Sequence, residues 1–112
     1  MFSRGRIAYT CGMPSREKKR KASEAELARV LYALSDPIRL EIVRQLARRG
    51  ETPCGGFGLD MPKSSLSHHF RVLREAGILG MRSEGTSILN FLQIKECEQR
   101  FPGLLPGILG NL

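Results

Sequence analysis

Lys63-Ser-Ser-Leu-Ser-His-His-Phe-Arg-Val-Leu-Arg-Glu-Ala-Gly-Ile-Leu79 holds the only two histidines of the 112-residue chain, side by side. With Leu66 set at zero on a helical wheel of about 100° per residue, Phe70 lies near 40°, Leu73 near −20° and Ala76 near −80°. That is one apolar stripe, closed by Ala76-Gly77 as a helix stop. His69 falls within the stripe, near −60°, while His68 falls on the far side, near 200°, with Ser64, Ser67, Arg71 and Glu75 around it. The two rings therefore face apart and cannot easily chelate one ion. Paired helical ligands come at i, i+3 or i, i+4, and the i+4 positions here are Val72 and Leu73. Catalysis is no better supported. No orienting partner or nucleophile motif accompanies the pair, and the nearby serines lack a GxSxG context. A polar helix face with short hydroxyls and donors in its N-terminal half suits a DNA major groove. The bland alternative for that face is simple solvation. For His69 it is a hydrogen-bonded packing histidine, and that reading is preferred.

Outward from this helix the pattern stays helical upstream. Ser23-Glu-Ala-Glu26 is a capping box, followed by Leu27, Val30, Leu31 and Leu34 at helical spacing. Asp36-Pro37 opens a second helix with an N-cap and a proline at the first position. Ile38, Ile42, Val43 and Leu46 line it, and Arg48, Arg49 and Gly50 end it. Residues 51–62, ETPCGGFGLDMP, are rich in breakers and read as a loop, with room for one short helical turn. Downstream, ILGMRS and TSILNFL flank Glu84-Gly85 and predict a β-hairpin, its first strand weakened by Gly80. Residues 93–101 return to helix, with Ile94, Cys97 and Phe101 on one face. The closing segment is apolar but broken at Pro106-Gly107. The fold class is therefore mainly α with a small β-hairpin (α+β), in the order of a dimeric winged helix-turn-helix. Residues 1–22 are predicted to be a flexible basic arm and residues 23–112 the DNA-binding and dimerisation domain. Met13 is a second candidate start.

Composition narrows the function classes. The net charge is +7, with seven basic residues and one acid within residues 1–21. The remaining eleven basic and ten acidic residues nearly cancel. The basic segment can attract phosphates without selectivity, or simply be solvated. A chain this short has a marginal core, which favours sharing it in a dimer. No apolar run or secretory signal is present, so the expected place is the cytoplasm, away from membranes. Three cysteines without a CxxC pair argue against a disulfide scaffold and a zinc ribbon.

ALSDPIRLEIV, SSLSHHFRVLREAGI and SEGTSILN together resemble the ArsR/SmtB-type winged helix repressors across roughly residues 28–93. The resemblance implies a homodimer on an inverted-repeat operator of double-stranded DNA, repressing a nearby operon until an inducer releases it. It places Ser64, Ser65, Ser67 and His68 toward bases and phosphates and His69 as a packing histidine. It sets Arg82 and Thr86 in or beside the wing, and the first and last helices at the dimer interface. Arg71 joins the DNA-facing set through the wheel. Metal-sensing members of the family carry a CxC-type motif ahead of this helix or histidine sets on the last helix. Here those regions read ETPCGGFGLDMP and QIKECEQRFPG, so the standard sensor sites are absent. Four readings of Cys11, Cys54 and Cys97 stay open: packing thiols, a redox switch through Cys54, As(III) or another soft metal at the thiols, or other ligands. Cys97 looks like core filler, and Cys54 is the foremost candidate sensor. The chain is read as a DNA-binding regulator and not an enzyme. The rival is a winged-helix interaction module without specific DNA binding.

Overall fold

The computed structural model describes residues 22–112. All of the predicted arm except Ala22, and with it Cys11, lies outside them. The order is α1 (Glu24–Ala33), α2 (Pro37–Arg49), β1 (Thr52–Pro53), a 3₁₀ turn (Cys54–Phe57), α3 (Lys63–Glu75), β2 (Leu79–Glu84), β3 (Ser87–Leu92), α4 (Ile94–Arg100) and α5 (Leu104–Leu109).

Local chemistry sets the helix ends. Ser23 and Glu26 form the reciprocal capping box expected of them. Asp36 Oδ1 accepts from the amides of Ile38 (2.8 Å) and Arg39 (3.2 Å), with Pro37 at the first helical position. Helix α3 ends in a Schellman motif. The Ile78 amide donates to the Leu73 carbonyl and that of Gly77 to Arg74, which requires the left-handed φ of +82° at Gly77. Leu73 and Ile78, both fully buried, supply the apolar contact that accompanies it.

The core is built from one face of each helix: Val30 and Ala33 of α1, Ile42, Val43 and Leu46 of α2, Phe70 and Leu73 of α3, then Leu79, Cys97 and Phe101. The predicted stripe of α1 divides. Val30 and Leu34 are buried, but Leu27 and Leu31 are 38% and 49% exposed and face away from the core. Ile94 likewise leaves the face it was expected to share with Cys97 and Phe101, at 56% exposed.

Two departures from the sequence reading have simple causes. The breaker-rich loop contains a third strand. Thr52 and Pro53 pair antiparallel with Asn90 and Leu89, giving the sheet order β1-β3-β2. A two-residue edge strand ending in proline carries no alternation to detect, and an edge is where proline is tolerated. Helix α5 also runs through Pro106-Gly107. Pro106 is its third residue, where the backbone N–H would be unpaired in any helix, so nothing is lost.

Gly80 is a requirement of the sheet where its sequence suggested a weakness. It pairs with Phe91, and a Cβ there would lie 2.5 Å from the ring. The ring covers the glycine, an arrangement that offsets the missing side chain. Gly80→Ala is expected to lower stability by about 1–3 kcal/mol through displacement of Phe91. Urea denaturation measures this, and an unchanged midpoint would contradict the packing described.

Candidate nucleic-acid interface

The exposed face of α3 begins at a helix end without a side-chain cap. Pro62 precedes it, and no side chain reaches its first amides. Ser64, Ser65, Ser67, His68 and Arg71 are all exposed along it. Among the described residues no carboxylate pairs with Arg71. The free amides and the positive end of the helix dipole favour an anion at the same end as Ser64 and Ser65.

The opposite side of α3 is held by one contact network that sequence reasoning did not resolve. Arg39 is 4% exposed, the most deeply buried charged side chain of the described residues. Its Nε donates to the Ala33 carbonyl at 2.7 Å and its Nη2 to the Tyr32 carbonyl at 3.3 Å. Both carbonyls lie in the last turn of α1; that of Tyr32 also accepts from the Ser35 amide and hydroxyl. The guanidinium also lies 5.1 Å from the centre of the Tyr32 ring. Its Nη1 donates to His69 Nδ1 at 3.1 Å. A guanidinium has no acceptor, so His69 accepts through Nδ1 and keeps its proton on Nε2. Burial tends to raise the Asp36 carboxyl, but hydrogen bonds from the amides of Arg39 and Ile38 and the nearby Arg39 charge outweigh it and hold it below its ordinary value. The short run Asp36-Pro-Ile-Arg39 therefore caps α2, closes α1 and fixes α3. The run lies in the ALSDPIRLEIV block of the sequence, but nothing local pointed to its partner thirty residues away.

The two histidines separate as the wheel requires. Their ring centroids are 5.8 Å apart, His69 turned to Arg39 and half-buried, His68 exposed.

Arg82 and Thr86 stand on the hairpin, both exposed. Thr86 lies in the turn between β2 and β3, while Arg82 is already engaged. Its Nε donates to both Glu51 oxygens (3.0 and 2.9 Å), and Nη1 lies 2.7 Å from Glu84. Hydrogen bonding to Arg82 lowers the Glu51 carboxyl, and the two acids hold the guanidinium firmly protonated. Glu51 sits just ahead of β1, so this pairing depends on the third strand.

The thiols differ sharply. Cys97 is buried, donates to the Gly77 carbonyl at 3.6 Å, and burial pushes its thiol pKa up. It is core, as expected. Cys54 is exposed, and its Sγ receives the Asn90 Nδ2 at 3.3 Å. Among the described residues, no cluster of three or more His, Cys, Asp or Glu side chains is placed to hold a metal ion. No helix among them is long and apolar enough to cross a membrane.

A helix-turn-helix domain family matches residues 34–82, from the end of α1 to the start of the wing. The uncharacterized HTH-type transcriptional regulator YceK of Bacillus subtilis is 36% identical over 88 residues, spanning 76% of this chain and 84% of that protein. The crystal structure of the transcriptional repressor BigR from Xylella fastidiosa is 28% identical, with a TM-score of 0.59 over 79% of this chain and 87% of that one. The fold also matches the crystal structure of an ArsR family transcriptional regulator, with a TM-score of 0.62 at 20% identity over 71% and 84% of the two chains.

Arg39→Met is expected to cost about 2–4 kcal/mol, since it strands the Ala33 carbonyl and the His69 acceptor and removes the contact with Tyr32. Chemical denaturation gives the total, and amide exchange should show α3 loosened. A loss below about 0.5 kcal/mol would remove Arg39 from its central place.

Proposed function

Because the chain belongs to the HTH-type transcriptional regulators and has the winged fold of ArsR-family proteins, we propose that it is a homodimeric repressor of a nearby operon, released from an inverted-repeat operator by an inducer. The observation that carries this reading is the exposed polar face of α3, backed by a buried arginine clamp. A recognition helix must hold its side chains in register with base edges, and the Arg39–His69 contact supplies that rigidity from behind. In this reading His68 and Arg71 meet base edges, and Ser64, Ser65 and Ser67 meet bases and phosphates. Thr86 and Arg82 meet the backbone beside the minor groove. The basic segment 1–21 adds unselective attraction to phosphate.

Dimerisation is supported by what α1 leaves outside. Leu27, Leu31 and Tyr32 are exposed there, and a groove of about 560 Å³ runs between α1 and the α4–α5 segment past Leu27, Phe101 and Leu104. A second copy related by a twofold axis would cover both. Of the two described thiols, a thiophilic inducer, trivalent arsenic or another soft metal, would meet Cys54, because Cys97 is enclosed.

His68→Ala and Ser64→Ala are each expected to weaken operator binding by about 1–2 kcal/mol, near tenfold in Kd, with the oligomeric state unchanged. Gel shift on a selected duplex against random duplex measures it. Binding that shows no selectivity between the two duplexes would instead support an interaction module. Glu51→Gln frees one side of Arg82. It is expected to tighten DNA binding at low salt and to steepen the salt dependence by about one unit. An unchanged slope would take Arg82 out of the interface.

A further inference from the structure

The cleft between α3 and the wing has properties that DNA contact does not call for. It encloses about 350 Å³, within the range of small-molecule sites. Its walls are Leu66 and Phe70 from α3, and Met81 and Ile88 from the wing. In the sheet register Met81 faces Asn90 and Ser83 faces Ile88, so Met81 and Ile88 share one side of the hairpin. Both are large apolar side chains left 48% and 46% exposed. The core does not use them, and a wing tip reaching for phosphates gains nothing from them.

The charged groups of the cleft are all of one sign. Lys63 lies at one end of α3 and Arg74 at the other, and no carboxylate lines the walls. Among the described residues neither cation has an ion-pair partner. They stand eleven positions apart on the helix, about 16 Å along the axis. The cleft is thus an apolar trough with unpaired cations at its ends. Its complement is an elongated apolar molecule bearing an anionic head.

We propose that this cleft is a binding site for a small amphipathic carboxylate, an unbranched alkyl chain with its carboxylate on Lys63 or Arg74. The chain lies against Leu66, Phe70, Met81 and Ile88. Ser67 borders both this cleft and the polar face of α3. An occupant there wedges the wing from the recognition helix and neutralises cations beside the operator. Bound carboxylate and bound DNA therefore oppose one another, and by linkage each weakens the other equally. This second step rests on the repressor reading above; binding in the cleft does not.

The test uses the full chain and octanoate, which is monomeric at working concentrations. Calorimetry without DNA is expected to show saturable binding at one site per chain. Ile88→Asn should weaken it at least about tenfold. Lys63→Gln or Arg74→Gln should weaken it about fivefold, and the variant that does so locates the carboxylate. Octanol binding as tightly as octanoate would overturn the anionic part, and no saturable binding, or binding indifferent to Ile88→Asn, would overturn the site. Gel shift then tests the link. Operator affinity is expected to fall as octanoate saturates the wild type and to hold in Ile88→Asn. Octanoate binding without effect on the gel shift would overturn the coupling and leave the site. A protein that binds octanoate but no DNA would count against the repressor reading alone.

Discussion

The guanidinium of Arg39 is where three helices are tied together. Its donors reach the Ala33 and Tyr32 carbonyls at the end of α1, its own backbone lies in the capped first turn of α2, and its remaining arm holds His69 of α3. A buried cation is costly unless each of its donors is met. Here the partners are neutral: two carbonyls, one imidazole nitrogen and the face of Tyr32. The geometry of all three elements is consequently fixed by the need to satisfy one side chain. The placement of α3 beside the other two helices is tied to it.

On that base α3 shows three sides. The first, with Phe70 and Leu73, is core. The second, with Ser64, His68 and Arg71, is open and polar. The third, with Lys63, Leu66 and Arg74, borders the wing across a partly empty cleft. The wing itself is anchored at its root. Leu79 is fully buried, Gln93 donates to the carbonyls of Gly77 and Leu79, and Asn90 joins β1 through the Thr52 carbonyl. Its tip is held only by the ladder and by the exposed Arg82–Glu51–Glu84 group. Local stability is therefore expected to be highest at the root of the wing and lowest at its tip.

Much of this was legible in local sequence. Capping chemistry marked the starts of α1 and α2, and the Ala-Gly-Ile stop of α3 fell where the Schellman motif needs it. The wheel separated His68 from His69 before any coordinates. The features that were not legible all rest on contacts between distant segments. β1 exists because β3 offers it partners, not because Thr52-Pro53 has strand character. Gly80 is required because Phe91 lies opposite. Leu27, Leu31 and Ile94 have the spacing of core residues, yet nothing among the described residues covers them. Helical period marks which residues are apolar on one face, not whether that face is turned to the chain's own core.

The sequence by itself determined the class of the protein: the element order, the helix ends, the polar face of α3, and the family to which these blocks belong. Those are set by interactions within a few residues, where spacing alone fixes geometry. The tertiary structure decided the rest. It turned Arg39 into the clamp on His69, enclosed Cys97 and left Cys54 open, engaged Arg82 with Glu51, and opened the cleft beneath the wing. Each of these depends on which distant groups meet, and that is settled only when the whole core closes.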